Sequence, residues 1–100
     1  MTLSEILSAY TQGLRHLKFF PAALAGGIPF LKSVAAVFPE VLFFPTGGIH
    51  LENCTEYLKL ASVLCIGGTW ITPRTLLVQE DFQAIRRLAE QAQQLARTVR

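Results

Sequence analysis

An α/β fold is predicted for this chain, namely an α-helix followed by three βα units with parallel strands. Three short apolar segments carry the β-branched and aromatic residues that are typical of strands, and each leads through a turn into a segment with helical periodicity. Apolar strands that alternate with helices indicate a parallel sheet covered by those helices. Because a (βα)8 TIM barrel needs eight strands to close, these three units predict a partial barrel.

The composition indicates a core that this chain does not complete by itself. One hundred residues form at most one domain, so residues 1–100 are predicted to be a single, incomplete domain. Hydrophobic residues make up 51% of the chain and the mean hydropathy is +0.38, which is high for so short a sequence. We therefore expect missing sequence or further copies of the chain, and predict a homo-oligomer that covers the exposed strand edges.

Charge, hydropathy and cysteine usage exclude several classes of function. The net charge of +2 and the scattered basic residues do not predict nucleic-acid binding, and no apolar run reaches the roughly twenty residues that span a membrane. Cys54, in a predicted helix, and Cys65, in a predicted buried strand, lack metal-ligand spacing. They predict two free thiols in a reducing cytoplasm, with neither a metal nor a cofactor. The first residues do not have the pattern of a secretion signal.

The first half of the chain predicts a helix, a strand and a second helix. Thr2 and Glu5 fit a capping box at the start of a helix of about ten residues, and Gly13 provides its left-handed stop. Residues 14–20 form a β-prone run, and a loop of small residues then leads to a helix that begins at Pro29 and ends near residue 37. The side chains expected to face inward from these two helices are Leu3, Ile6, Leu7, Tyr10, Phe30, Leu31, Val34 and Val37.

The second half repeats the alternation of strand and helix. Residues 41–45 form a second strand, residues 51–60 a helix, and residues 63–66 a third strand. A short turn of helix begins at residues 72–73, and the last helix covers residues 80–98. Its arginines, together with Glu90, predict a solvated face. The side chains expected to face inward are Leu51, Cys54, Tyr57, Leu58, Phe82, Ile85, Leu88, Ala92, Leu95 and Val99.

Lys18 lies in the middle of the apolar first strand. Side chains alternate between the two faces of a strand, so Lys18 shares one face with His16 and Phe20, while Leu17 and Phe19 share the other. Lysine on an edge strand blunts pairing with other chains, and this alternative stays open. A lysine inside a pocket is instead a nucleophile, because burial disfavours the ammonium and frees the lone pair to attack a carbonyl. For this interpretation we expect the aromatic side chains of this strand and the next to keep water away from Lys18.

Two diglycine sequences follow consecutive predicted strands, Gly47-Gly48 after the second and Gly67-Gly68 after the third. In βα barrels the carboxyl ends of the strands form the working edge, and phosphate commonly binds at the last two loops. Glycines let backbone N–H groups approach an anion closely, because no Cβ intervenes. One diglycine is more often only a turn, but two in consecutive units predict a phosphate-binding site, to which Thr69 adds a hydroxyl.

Three segments at the strand ends resemble one enzyme family in order and spacing. They are Leu17-Lys18-Phe19-Phe20-Pro21-Ala22, Phe44-Pro45-Thr46-Gly47-Gly48-Ile49 and Val63-Leu64-Cys65-Ile66-Gly67-Gly68-Thr69-Trp70. They are similar to the successive motifs of the 2-keto-3-deoxy-6-phosphogluconate (KDPG) aldolases. These are class I aldolases of the Entner–Doudoroff route, related to 4-hydroxy-2-oxoglutarate (KHG) aldolase. The resemblance covers nearly the whole chain.

The resemblance implies a lyase that cleaves KDPG to pyruvate and glyceraldehyde 3-phosphate. It makes Lys18 the Schiff-base nucleophile, and the imine accepts the electrons of the developing carbanion. It places Phe20 against the bound keto acid and Thr46 beside it. It assigns the substrate phosphate to Gly47, Gly48, Gly68 and Thr69. A phosphorylated keto acid is thus the expected small-molecule partner.

The chain departs from the family pattern in three respects. Ala23 stands where the family has an acidic residue, and Thr69 stands where a serine is usual. Family members are longer, and the N-terminal half absent here holds their general-base glutamate and the arginine near the substrate carboxylate. Positioned acid–base groups contribute roughly 10²–10⁴-fold to a rate. The alternative function is therefore a catalytically impaired phosphate-binding or assembly fragment.

Three further side chains near these motifs are assigned structural roles. His16 is predicted to be a hydrogen-bonded imidazole in the core and not a catalytic group. His50 is predicted to cap a helix or lie at the surface. Trp70 is predicted to pack under the loop, with a position at the mouth of the site as the alternative.

Overall fold

The chain begins with helix α1, Leu3–Thr11, in a computed structural model that describes residues 1–100. At its start Thr2 Oγ1 accepts a hydrogen bond from the Glu5 N–H, and Glu5 Oε1 accepts one from the Thr2 N–H, so the predicted capping box is confirmed. At its end Gly13 has a φ of +91°. Its N–H donates to the Tyr10 carbonyl, as a left-handed helix stop requires.

Two parallel strands form the sheet, β1 at His16–Phe19 and β2 at Leu42–Pro45. Helix α2, Gly27–Val37, connects them, and it begins two residues before the predicted start at Pro29. The register pairs Lys18 with Phe44 and Phe19 with Pro45. The predicted α/β fold with parallel strands is therefore confirmed for these two strands.

The prediction of a third strand over residues 63–66 is wrong, because this segment forms only an isolated bridge, between Val63 and Phe43. The segment nevertheless runs parallel to β2: Phe43 N–H donates to the Ser62 carbonyl at 2.7 Å, and Leu64 N–H donates to the Phe43 carbonyl at 2.8 Å. The next bond of a parallel ladder would come from residue 45 of β2. Pro45 has no N–H, so the bond to the Leu64 carbonyl cannot form and the regular ladder is interrupted, although the Pro45 carbonyl accepts a hydrogen bond from the Gly67 N–H at 3.1 Å.

Three helices follow β2: α3 at Cys54–Leu58, α4 at Arg74–Val78 and α5 at Phe82–Val99. Helix α3 is shorter than the predicted helix over residues 51–60. Helix α5 begins after Asp81, whose carboxylate accepts a hydrogen bond from the Ala84 N–H at 3.1 Å. The exposed ion pair Arg86–Glu90 on α5 agrees with the predicted solvated face, although Arg100 donates to backbone carbonyls around residues 58–64 instead. The structure has no helix that combines the length and the hydropathy of a membrane span.

The core lies on one face of the sheet, between the strands and helices α1, α2 and α3. It contains Ile6, Phe19, Ala22, Leu31, Val34, Val41, Phe43, Ile49, Cys54, Tyr57 and Val63. No layer covers the other face, and only 14 of the 100 residues are buried. The radius of gyration of 14.9 Å exceeds the roughly 13 Å expected for a closed domain of this length.

The uncovered regions explain which predictions of inward-facing side chains are wrong. Ile6, Leu31, Val34, Cys54, Tyr57 and Leu58 are buried as predicted, whereas Leu3, Leu7, Val37, Leu51 and Phe82 are exposed. The remaining apolar residues of α5 are only half-buried or exposed. Helical periodicity identifies an apolar stripe correctly, but a stripe becomes buried only where a neighbouring element packs on it.

Candidate active site

A pocket of about 280 Å³ lies at the carboxyl ends of the strands, where the loops after β1, β2 and the Val63 segment meet. Its lining residues are Phe20, Thr46, Gly47, Gly48, Ile49, Gly67, Gly68 and Thr69. The two diglycine sequences predicted to act together therefore do share one pocket. All six residues predicted to bind the substrate or its phosphate lie in this lining, whereas the predicted nucleophile Lys18 does not.

Several backbone donors around this pocket have no partner within the chain. The N–H groups of Gly47, Gly48, Ile49, Gly68 and Thr69 make no hydrogen bond within the chain. The hydroxyl oxygen of Thr46 is also buried without a partner. Since an unsatisfied buried polar group costs free energy, a ligand that hydrogen-bonds to the Thr46 hydroxyl would be favoured at this place. Successive free N–H groups in a turn form a concavity that suits an anion.

Close backbone packing explains why glycines are required in the loop after β2. Gly47 and Gly48 have φ values of +95° and +73°. A Cβ at Gly48 would lie 2.5 Å from the Ala23 Cβ, and one at Gly47 would lie 2.9 Å from the Pro21 Cα. Hydrogen bonds from Ala22 N–H to the Thr46 carbonyl and from Ala23 N–H to the Gly47 carbonyl join the two loops.

Lys18 lies on β1 on the same face as Phe44 of β2, beside the pocket. Its Nζ atom is 5.6 Å from the centre of the Phe20 ring, within the range of a cation–π contact. Phe20 itself lines the pocket. The amine and the pocket are therefore connected through a single aromatic side chain.

The predicted dry environment of Lys18 is absent from this chain. Lys18 is exposed, Phe20 is 60% exposed, and Phe44 is only half-buried. The alternation of faces along β1 is as predicted, since Phe19, which lies between Lys18 and Phe20 in the sequence, is fully buried. The burial prediction is wrong because the face that carries Lys18 has no covering layer within this chain.

Predictions for the neighbouring side chains have mixed outcomes. His16 is exposed and its ring makes no hydrogen bond, so the predicted core imidazole is wrong. His50 lies at the surface as predicted, where its Nδ1 is 2.8 Å from a Glu52 carboxylate oxygen. Trp70 packs under the loop as predicted: its ring lies so close to Gly68 that a Cβ added there would be within 2.3 Å of two ring atoms. Cys65 is exposed and not in a buried strand, although both cysteines are free.

No carboxylate lines the pocket. Glu5 binds the N-terminus of α1, and Glu40 accepts from the Tyr10 hydroxyl and lies 3.6 Å from Arg15. Glu52 contacts His50 at the surface. The pocket as this chain builds it therefore contains donors for an anion but no acid or base at its surface.

Sequence reasoning missed two residues of this region. Ile49 lines the pocket, and Asn53 binds the loop after β2 through its side-chain amide. The sequence predicts Asn53 inside a helix over residues 51–60, whereas it precedes α3. An asparagine a few residues after a diglycine turn is a recognisable signal, since asparagine side chains commonly bond to nearby backbone groups.

Fold and pocket together define a βα protein with a donor-lined pocket at the carboxyl edge of parallel strands. Residues 1–88 match the family model for KDPG and KHG aldolases. The chain belongs to the KDPG and KHG aldolase family, as the strand-end motifs predicted.

Similar proteins agree with this assignment. The 2-dehydro-3-deoxy-phosphogluconate aldolase of Dickeya dadantii is 45% identical over 91 residues, which are 91% of this chain and 43% of that protein. A KDPG aldolase of Legionella pneumophila, with pyruvate captured at low pH as a covalent carbinolamine intermediate, superposes with a TM-score of 0.85 and 47% identity. That match covers 87% of this chain and 42% of the Legionella chain.

A third relative has a phosphorylated ligand. The KDPG aldolase of Zymomonas mobilis ZM4 with 3-phosphoglycerate matches with a TM-score of 0.69 and 44% identity, over 72% of this chain and 34% of that one. The chain thus spans less than half the length of the relatives that it matches.

Proposed function

We propose that this chain carries the Schiff-base lysine and the phosphate-binding half of a class I aldolase site that acts on KDPG. The observation that carries the proposal is the single pocket formed by both diglycine loops, with Lys18 connected to it through Phe20. Family membership supports the reaction class. The carbinolamine in the Legionella relative is the adduct that an amine forms with the ketone of pyruvate.

In the proposed reaction the Lys18 amine attacks C2 of the keto acid and water leaves to give an imine. A base takes the proton of the C4 hydroxyl, the C3–C4 bond breaks with its electron pair moving into the imine, and glyceraldehyde 3-phosphate departs. Protonation of the resulting enamine and hydrolysis release pyruvate and regenerate the amine. Phe20 and Thr46 would contact the keto acid, and the buried Thr46 hydroxyl without a partner supports this role.

The substrate phosphate would bind to the N–H groups of Gly47, Gly48, Gly68 and Thr69. These groups have no acceptor within the chain, and several N–H donors that converge on one anion form strong, charge-assisted hydrogen bonds. No basic side chain lines the pocket, so recognition here would rest on backbone dipoles.

We further propose that residues 1–100 are one incomplete domain, a partial (βα)8 barrel whose uncovered sheet face turns toward the barrel interior. The parallel strands, the exposed Lys18 face and the expanded radius of gyration support this arrangement.

Leu14 and Leu64 are 52% and 45% exposed, and apolar surface beside an unpaired strand edge favours self-association. A homo-oligomer is therefore proposed, and a stable monomer in sedimentation experiments would contradict it. The two free thiols support a cytoplasmic location.

Borohydride trapping with pyruvate tests the nucleophile. We expect mass spectrometry to find the reduced adduct mainly on Lys18, and to find it lost in Lys18→Arg, which keeps the positive charge. Lys32 and Lys59 are exposed internal controls. Equal labelling of all three lysines, or no labelling, would show that Lys18 has no special reactivity.

The second candidate function is a phosphate-binding or assembly fragment without turnover. It is favoured by the exposure of Lys18 and the absence of a carboxylate from the pocket. A coupled assay of pyruvate release from KDPG separates the two, because only the aldolase turns the substrate over. The turnover expected is slow, since loss of a general base lowers the rate by roughly 10²–10⁴-fold. Phosphate binding without any Lys18 adduct would establish the fragment function.

A further inference from the structure

Asn53 makes two hydrogen bonds to the loop after β2, which carries Gly47-Gly48. Its Oδ1 accepts from the His50 N–H at 2.8 Å, and its Nδ2 donates to the Gly48 carbonyl at 2.9 Å. A carbonyl can only accept and a backbone N–H can only donate, so the orientation of the Asn53 amide is determined. Asn53 occupies the N-cap position of α3, yet its side chain makes no capping hydrogen bond.

These bonds determine which way the peptide between Gly48 and Ile49 faces. The peptide is planar and trans, so the Ile49 N–H points away from the side on which Asn53 holds the Gly48 carbonyl. Ile49 lines the pocket, and its N–H has no acceptor within the chain. Glycine at position 48, with a φ of +73°, offers little steric resistance to rotation of this peptide.

We infer that Asn53 is a positioning residue for the phosphate site: it holds the Gly48–Ile49 peptide with its N–H available to the anion. Without the amide, the peptide is free to turn its carbonyl toward the pocket, where a partial negative charge repels phosphate. This inference rests on the proposed phosphate site and adds a residue that lies outside its lining. It assigns Asn53 no contact with the reacting carbons or with Lys18.

The test is a titration of the ¹⁵N-labelled chain with inorganic phosphate, followed through the backbone amide signals. In the unaltered chain the Ile49 amide signal should shift as phosphate binds. In Asn53→Ala we expect the dissociation constant to rise roughly tenfold, the typical consequence of losing one hydrogen bond to a charged group. In the same variant the phosphate-induced shift of the Ile49 amide signal should disappear, while pyruvate trapping on Lys18 should stay unchanged.

Asn53→Asp separates positioning from helix capping. Aspartate caps helices as well as asparagine does and still accepts from the His50 N–H, but it has no donor for the Gly48 carbonyl. Made together with Glu52→Gln, it leaves the formal charge of the loop unaltered. We expect this double variant to bind phosphate as weakly as Asn53→Ala, with Glu52→Gln alone as its reference.

Asp81→Ala is the matched control for a lost side-chain bond at the start of a helix, because Asp81 caps α5. It should lower stability without changing phosphate affinity or the Ile49 shift. Phosphate affinity in the double variant equal to that of Glu52→Gln alone, or an unchanged Ile49 shift in Asn53→Ala, would overturn the inference. Failure of the unaltered chain to bind phosphate would overturn the phosphate site and the inference together, while Lys18 trapping would still report separately on the nucleophile.

Discussion

Gly47→Ala tests whether the loop after β2 is held tightly against the loop after β1. A Cβ at position 47 would lie 2.9 Å from the Pro21 Cα and 3.2 Å from the Ala22 nitrogen. Both are backbone atoms, and the hydrogen bond from the Ala22 N–H to the Thr46 carbonyl is 2.7 Å long. The neighbouring loop therefore has little freedom to move away.

The expected loss of stability has two sources. A positive φ costs a residue with a Cβ about 1–2 kcal/mol, and overpacking against atoms that resist movement adds about 1–3 kcal/mol. The free energy of unfolding should fall by about 2–5 kcal/mol, a large part of the roughly 5–15 kcal/mol of a typical domain. Gly13→Ala is the matched control, since Gly13 has a φ of +91° but a Cβ there would meet no atom within 4 Å.

Urea-induced unfolding monitored by circular dichroism measures both variants. Gly13→Ala should show the backbone cost alone, about 1–2 kcal/mol, and should leave phosphate binding unchanged. Gly47→Ala should lose more stability and should also weaken phosphate binding, because displacement of the loop moves the N–H groups around the pocket. Equal losses of stability in the two variants would refute the close approach of the two loops.

Two further predictions concern helix α1 and the core. Thr2→Ala removes half of the capping box and should lower the free energy of unfolding by about 1 kcal/mol; an unchanged urea midpoint would contradict this role. Burial raises the pKa of the Tyr57 hydroxyl, and the nearby Glu56 carboxylate raises it further. Since the folded pKa lies above the unfolded one, the resulting stabilisation is complete below about pH 10 and is lost as the pH rises through the folded pKa. Tyr57→Phe should reduce the alkaline fall in the urea midpoint, and an identical pH profile in both chains would count against this explanation.

Features that depend on residues a few positions apart could be predicted from the sequence. Thr2 and Glu5 are three residues apart and form the predicted capping box. Gly13 ends α1 because only the local backbone conformation matters there. The carboxyl-edge pocket was also predictable, because parallel strands bring the loops that follow them to one edge.

The third strand shows where local prediction fails. Residues 63–66 have a strand-like sequence, but their regular pairing is interrupted where β2 presents Pro45, which has no N–H to donate and only accepts, from the Gly67 N–H. The proline lies in another segment, so its effect depends on the register between the two. Asn53 was missed for a related reason, since its role depends on the turn that brings it back to Gly48.

The amino-acid sequence by itself determined the family, the parallel α/β alternation and the two diglycine loops, because these follow from residue order and short-range spacing. The tertiary structure decided which apolar faces are covered. It placed Lys18 on a face with no layer above it and left that side chain exposed. Burial is a property of the elements that pack around a residue, and no element of this chain packs over Lys18.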